Sequence, residues 1–392
     1  MSQAELRITL KKGKEKPLLQ KHHWIYSGAI QNLPKERSSK ILPVYSLDGK
    51  KLGLAATNPG RSIAAHMLAF GEESIETALK KRIAQAVLMR KRLYDTSRTN
   101  AFRLIHAEGD GIPGLIVDSY NGMLVLQISH AALEPLKEEI LSFLIEAANP
   151  RGIYEKSTSF LRKKEGMEEK RGHLYGEVDP RPLILENGLS FRVDLETGQK
   201  TGWFLDQREM RSLVRQISAN RRVLNVFSYS GGFSVAALKG GALSATSVEI
   251  SSRCAPLIEE NLALNGIDPT SHSFKNQDAF EFLAKEDLQE DLVILDPPAF
   301  VKKREDISQA FRAYKEINRL AMAKMPPGSL LLTCSCSYHV DEALFQNIVF
   351  RAALEAGRSV RILSRHIQAA DHPISLFHPE SAYLKSFLLY LE

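Results

Sequence analysis

Apolar positions recur along this chain with two different periods, and the changes of period divide it. Residues 7–10, 41–45, 51–56 and 62–68 are short strand-like runs. Between them lie the turns LDGK and NPGR, whose glycine and Asx residues suit tight reversals. These runs predict a small β unit. Residues 74–94 then take a helical period, with Ile75, Leu79, Ile83, Val87 and Leu88 on one face and Ser74 placed to cap. The other face carries Lys80, Lys81, Arg82, Arg90, Lys91 and Arg92, and suits a bridge with a phosphate-facing side. Strands at 115–118 and 123–129 flank Asn121-Gly122, a strong hairpin signal. A helix at 133–147, a strand at 152–155 and a charged loop at 162–172 follow, and 189–195 reads as another strand.

From residue 222 the pattern changes again. Residues 223–227 form a buried strand, 228–232 a turn, 233–238 a helix stopped by Gly240-Gly241, and 245–250 a second strand. A third strand precedes Asn276, a fourth spans 292–295 and a fifth 329–333. Continuous apolar runs of this kind fit a parallel sheet covered on both faces. The fold class is therefore α/β: a Rossmann-like domain at 185–392, preceded by a small β domain at 1–73, a linker helix at 74–98 and a central small α+β domain at 99–184.

Composition narrows the function classes. The chain has 392 residues, 44% apolar and 25% charged, as expected for a globular protein of two or three domains. No apolar run approaches the ~18 residues of a membrane span. The start, MSQAELRITLKKGKEK, lacks the apolar core of a secretory signal. Three cysteines, Cys254, Cys334 and Cys336, argue against a disulfide framework and for the cytoplasm. One Cys-x-Cys is short of a closed zinc site, so no metal is expected. Residues 1–98 hold 19 Lys+Arg against 8 Asp+Glu, a net of +11, within a chain of net +6. Such asymmetry suits a polyanion partner, or else a solvated basic surface. Within 11–30, lysines are interleaved with flat rings, a combination that meets RNA phosphates and unpaired bases. Lys16, Lys21, His23 and Trp24 are the candidates, although Trp24 and Tyr26 also suit a small apolar core.

The candidate chemistry lies past the ends of successive strands, where open α/β sheets bind ligands. Glu249 ends the second strand, close to the spacing at which a βαβ site sets a carboxylate on a ribose. Asp278 follows the third, Asp296-Pro297-Pro298 the fourth, and Cys334-Ser335-Cys336-Ser337 the fifth. The two prolines fix the backbone beside Asp296. Cys336 is either an activated nucleophile or an inert core residue. The segment GQKTGWFLDQREMR at 198–211 is a wall of the same site, or else Asp206 caps a helix at 207–217.

This order of signals resembles the class I S-adenosylmethionine-dependent methyltransferases. The resemblance implies S-adenosylmethionine as cofactor. It assigns the cofactor pocket to Gln207, Phe227, Ser228, Tyr229, Gly231, Glu249, Ile250, Ser251, Asp278, Ala279 and Asp296. Glu249 would hold the ribose hydroxyls and Asp278 the adenine amine. The usual turn is richer in glycine than the Phe227-Ser228-Tyr229-Ser230 seen here. The first segment, through KPLLQKHHWIYSGAI, resembles a PUA domain.

Across nearly the full length the chain resembles the ribosomal RNA large-subunit methyltransferase I family, which makes 5-methylcytosine in 23S ribosomal RNA. The matching runs are KPLLQKHHWIYSGAI, EGDGIPGLIVDSY, KTGWFLDQR, VLNVFSYSGGFS, DPPAF, TCSCS and ADHPISLFHPESAYLK. The resemblance implies Cys336 as nucleophile and Asp296 as its partner, with 23S ribosomal RNA as substrate and a second copy of the chain as a candidate partner. Many RNA cytosine methyltransferases carry Pro-Cys after the fourth-strand Asp; this chain has Pro297-Pro298, so no second thiol stands there. Ala299 stands where relatives often have lysine. Two other readings stay open: an adenine-amine methyltransferase, whose Asp/Asn-Pro-Pro motif is followed directly by a stacking aromatic, and a catalytically inactive RNA-binding or assembly protein.

Overall fold

The computed structural model describes residues 6–32, 38–300 and 306–392. Residues 1–5, part of the stretch read above for a signal, lie outside the described residues. Among the described residues no helix is long and apolar enough to cross a membrane. Two compact units form, and neither is continuous in sequence. One comprises Met1–Pro182, Val193–Trp203 and Ala370–Ser381; the other comprises Leu183–Arg192, Phe204–Ala369 and Ala382–Glu392.

The first unit holds two sheets. Six strands, in spatial order Trp24–Tyr26, Ile63–Phe70, Lys51–Thr57, Ile41–Tyr45, Ile8–Leu10 and Ile30–Asn32, close around Ile8, Leu10, Ile25, Val44 and Met67. The alternation in Ile41–Tyr45 is real: Leu42 and Val44 are buried and their neighbours half-buried. The helix Ile75–Leu93 is capped by Ser74, whose Oγ accepts the Thr77 N–H at 3.1 Å. Its buried face, Leu79, Ile83 and Val87, joins a core with Ala56 and Leu68 of the first sheet and Leu104, Leu126 and Leu144 beyond it. The second sheet runs Lys170–Gly176, Gly152–Ser157, Met123–Ile128, Leu115–Tyr120, Ala101–His106.

Two expectations are corrected here. Arg90 is not on a solvated basic face: it is fully buried and bidentate to Asp110 at 2.6 and 2.8 Å. It also donates to the carbonyls of Arg103 and Asp371. The charged stretch 162–172 is not a loop throughout. It begins in the short helix Phe160–Lys164 and ends in the edge strand Lys170–Gly176, and Arg162 is buried against the Ile128 carbonyl. Periodicity misses this strand because its partner, Gly152–Ser157, supplies the order through backbone pairing.

The second unit opens with a hairpin, Leu183–Glu186 and Leu189–Arg192; pairing ends at Arg192, short of the predicted 195. Its sheet has seven strands: β1 (Arg222–Val226), β2 (Ser244–Glu249), β3 (His272–Asn276), β4 (Leu292–Leu295), β5 (Leu330–Ser335), β6 (Val360–His366) and β7 (Lys385–Leu391). The spatial order is β3-β2-β1-β4-β5-β7-β6, parallel except for β7. Strand order reverses between β1 and β4, and the crevice at such a switch point is where open α/β sheets bind ligands. Leu224, Val226, Val293, Leu295 and Leu331 bury one face against the helices Ile307–Lys324 and Glu342–Glu355. Val223, Ile294 and Leu332 bury the other against Met210, Val214 and Phe233.

Candidate active site

The turn after β1 is held in an unusual conformation. Phe227 and Tyr229 have φ of 63° and 46°, and Gly231 has 78°. Left-handed backbone at two residues with side chains costs on the order of 1 kcal/mol or more each, and persists where surrounding bonds over-determine it. Those bonds are present. Ser228 N–H donates to the Val248 carbonyl at 3.1 Å, Gly231 N–H to the Ser228 carbonyl at 2.9 Å, and Asn261 Nδ2 to the Ser230 carbonyl at 2.9 Å. Tyr229 N–H donates to Glu249 Oε2 at 3.1 Å. Glycine-poor in sequence, the turn nevertheless takes a glycine-like path.

Behind the turn, a buried polar chain locks three strands. Asn225 Nδ2 donates to Ser234 Oγ at 3.0 Å, Ser234 Oγ meets Ser247 Oγ at 2.7 Å, and Ser247 Oγ meets His272 Nε2 at 2.8 Å. Burial lowers the His272 pKa to about 4, so the ring is neutral. Glu249 is fixed at the end of β2, its Oε1 accepting the Ser251 N–H at 3.0 Å. Asp278 caps the helix Ala279–Lys285, Oδ1 accepting from Phe280 and Glu281. Ala279 is buried behind it, while Ile250 is 69% exposed. Ser228 and Ser230 are buried, and among the described residues neither hydroxyl has a hydrogen-bond partner. Buried polar atoms are rarely left so; these two suit a polar ligand seated on the turn.

Asp296 and Cys336 come together at the neighbouring ends of β4 and β5. The Cys336 thiol donates to the Pro297 carbonyl at 3.8 Å. Gln207 Nε2 donates to Asp296 Oδ1 at 2.7 Å. Gln207, expected at the cofactor, thus orients the Asp296 carboxylate, and its own Oε1 is buried with no hydrogen-bond partner among the described residues. Asp206 does not cap the helix Arg208–Ile217, which has no side-chain cap; it accepts from the Tyr383 hydroxyl at 2.7 Å. Cys334 is fully buried, and desolvation together with Asp296 pushes its pKa well up. Burial likewise raises Cys254 to about 11. Cys336 alone among the three cysteines is partly exposed.

Two residues of this cleft escape a reading of motifs. Tyr314 donates or accepts at 2.8 Å with Ser337 Oγ, and burial raises its pKa to about 12. Lys385 Nζ donates to the Ser337 and Tyr383 carbonyls, both at 2.7 Å. The available signal was that Lys385 ends the run ADHPISLFHPESAYLK.

In the first unit Lys16 and Lys21 are exposed, and Lys21 Nζ lies 4.9 Å from the centre of the Phe70 ring. His23 is corrected: it is 6% exposed, its Nδ1 pairs with the Met67 carbonyl at 2.9 Å, and burial lowers its pKa to about 3. It presents no face to a base. Trp24 is half-buried, with Nε1–H on Glu108 at 3.1 Å. Beside it, His22, His378 and Glu380 bring ligand atoms within 4.8 Å of one another, a cluster the sequence did not suggest. Trp24 N–H donates to His22 Nδ1 at 3.2 Å, and His22 Nε2 lies 3.2 Å from Glu380 Oε2.

Comparison with known proteins agrees with this geometry. Residues 160–375 match the model of an S-adenosylmethionine-dependent methyltransferase family, and residues 8–70 match a PUA-like domain. The chain is 40% identical over 388 residues to Ribosomal RNA large subunit methyltransferase I of Klebsiella pneumoniae (strain 342), covering 97% of each chain. It is 39% identical to the protein of that name from Vibrio cholerae (strain ATCC 39541), covering 97% of this chain and 98% of the relative. Among solved structures it is similar to a SAM-dependent methyltransferase from Streptococcus mutans, with TM-score 0.85, 26% identity and coverage of 98% and 99%. It is also similar to SMU.776 complexed with SAH, with TM-score 0.84, 25% identity and the same coverage. The strained turn, the orphaned serine hydroxyls and the Glu249 carboxylate fit S-adenosylmethionine as the cofactor. A switch-point crevice with that donor set, a PUA-like match earlier in the sequence and relatives alike over 97% of the chain place it in the ribosomal RNA large subunit methyltransferase I family of S-adenosylmethionine-dependent methyltransferases.

Proposed function

We propose that this protein methylates carbon-5 of a cytosine in 23S ribosomal RNA through a covalent adduct on Cys336. The observation that carries the proposal is the meeting of the Cys336 thiol with the Asp296-Pro297-Pro298 backbone at 3.8 Å, beside a carboxylate oriented by Gln207. Carbon-5 of a pyrimidine is barely nucleophilic. S-adenosylmethionine, when bound, supplies an electrophilic methyl group on a sulfonium. Cys336 adds its sulfur to carbon-6, which moves the electron pair of the 5,6 double bond to carbon-5 and lets that carbon take the methyl. A base, for which water in the cleft suffices, then takes the carbon-5 proton; the C–H electron pair restores the 5,6 double bond, and the carbon-6 bond to Cys336 breaks with its pair on sulfur. Asp296 holds the amine edge of the ring throughout. Glu249 would hold the ribose of the cofactor, and Asp278 its adenine.

Phe300 favours this reading over methylation of an adenine amine. Its ring packs at 4.7 Å from Tyr314, 6.0 Å from Phe280 and 6.5 Å from Phe227. Engaged in that cluster, it is a poor platform for a base. The substrate follows from the name of the relatives and the basic first quarter, with exposed Lys16 and Lys21 as phosphate contacts. The test is to incubate the protein with labelled S-adenosylmethionine and undermodified ribosomal RNA, then digest to nucleosides. Label in 5-methylcytidine is expected. Label in methyladenosine moves the reaction to the amine, and no transfer despite cofactor binding leaves an inactive RNA-binding protein.

A further inference from the structure

A buried ammonium with no carboxylate partner stands next to the loop that carries Cys336. Lys385 is 8% exposed and opens β7, where its Cα pairs in register with Ser335, the last residue of β5. That pairing aims the side chain along the strand end. Its Nζ is clamped between the carbonyls of Ser337 and Tyr383, each 2.7 Å away. Ser337 directly follows Cys336. Among the described residues no carboxylate lies within ion-pair distance of Lys385 Nζ. Carbonyl dipoles satisfy the N–H groups but do not cancel a charge, and a buried charge left without a counter-ion is costly. Burial lowers the Lys385 pKa to about 8, against the pull of Cys336 and Asp341. At neutral pH it still carries its proton.

We propose that Lys385 is a positioning residue for Cys336, its ammonium holding the neighbouring sulfur as a thiolate before the substrate arrives. Cations next to a cysteine favour the thiolate, the form that attacks. The other groups around the loop do not offer that charge. Tyr314, on the helix Ile307–Lys324, is neutral, its pKa raised to about 12 by burial first and by Cys336 next. Cys334 stays protonated, because burial and Asp296 both disfavour its thiolate. Asp296 and Asp341 are acids, and they oppose a thiolate rather than support it. Ser337 completes the clamp: its carbonyl holds Lys385 while its hydroxyl is tied to Tyr314 at 2.8 Å, so the backbone on one side of Cys336 is fixed from two directions.

The inference rests on Cys336 being the nucleophile proposed above, but its test does not need RNA. The intact protein is alkylated with iodoacetamide from pH 5.5 to 9.5, and the labelled Cys336 peptide is quantified by mass spectrometry. The sulfur displaces iodide only as thiolate, so the midpoint reads the thiol directly. The unmodified protein should titrate below the ~8.5 of a free cysteine. Lys385→Gln keeps a hydrogen-bond donor and loses the charge; it should slow labelling at pH 7 about tenfold and move the midpoint up. Lys385→Arg should restore most of the rate. A midpoint in the unmodified protein at or above the ordinary value overturns the proposal without any variant. So does a Lys385→Gln midpoint that does not move. A low, Lys385-dependent midpoint with no RNA adduct would remove the cytosine mechanism and leave the Lys385–Cys336 pairing intact.

Discussion

Cys334 and Cys336 stand two positions apart, yet β5 ends between them, and of the two only Cys336 is partly exposed. Alternation along a continuing strand would place both on one face. The strand stops at Ser335, which frees Cys336 to turn toward Pro297 while Cys334 stays in the core with Leu332 and Leu388. RNA carrying 5-fluorocytidine cannot lose its carbon-5 substituent as a proton, so the adduct should persist on a denaturing gel. Cys336→Ala should abolish both methylation and adduct, and Cys334→Ala should keep both. An adduct that survives in Cys336→Ala and vanishes in Cys334→Ala would reverse the assignment.

Glu249 braces the turn through its bond to the Tyr229 N–H, and the function proposed above also gives it the cofactor ribose. Glu249→Ala should weaken binding of S-adenosylhomocysteine by roughly 10- to 100-fold, the range of one or two hydrogen bonds to a charged acceptor. Titration calorimetry reads this directly, and RNA affinity should change far less. Equal cofactor affinity in variant and parent would take Glu249 out of the site.

Binding of RNA should fall steeply with salt, because each neutralised phosphate releases counter-ions. Replacing Lys16 and Lys21 together by Ala should flatten the slope of log K against log salt by about 1 to 2, without altering cofactor affinity. His23→Ala is not expected to act at the RNA; its side chain is inside, and its loss should appear as lower thermal stability. A salt slope unchanged by the double lysine replacement would leave those cations as a solvated surface.

Histidines held largely out of water in the first unit make stability depend on acid. Burial lowers His23 and His130 to about 3 and His66 to about 4. In the unfolded chain each takes up a proton near pH 6.5, while in the folded protein each stays neutral down to its lowered value. The unfolded state therefore binds more protons in that window, and stability rises with pH. Denaturant midpoints should be level above about pH 7 and should fall between pH 6.5 and 4, by at most about 1.4 kcal/mol per pH unit for each histidine. Stability that holds constant across that window would mean that the rings protonate in place.

Arg90→Met should test the buried ion pair. Removing one partner strands the Asp110 carboxylate, itself 7% exposed, and takes a donor from the Arg103 and Asp371 carbonyls. A loss of roughly 3–5 kcal/mol is expected in chemical denaturation. The double variant Arg90→Met with Asp110→Asn should recover part of it, which a purely steric effect would not allow.

Much of the architecture is written in the order of residues. Apolar runs capped by Glu249, Asp278, Asp296 and Cys336 specify a parallel sheet and the sides of its crevice, because strand burial and helix period are local properties that each segment carries with it. The capped helix Ile75–Leu93 and the turn-punctuated strands before it are legible for the same reason. What the tertiary structure alone decided concerns partners distant in the chain. Arg90 and Arg162 read as surface charges because their acceptors, Asp110, Asp371, Ile128 and Glu134, lie up to 281 positions away. Phe227 and Tyr229 take left-handed backbone that no composition rule would assign to them, because bonds from Val248 and Glu249 hold it. Lys385 reaches the Cys336 loop because β7 runs antiparallel beside β5, a pairing made 50 residues apart and set by the closure of the sheet, not by any pattern within either strand.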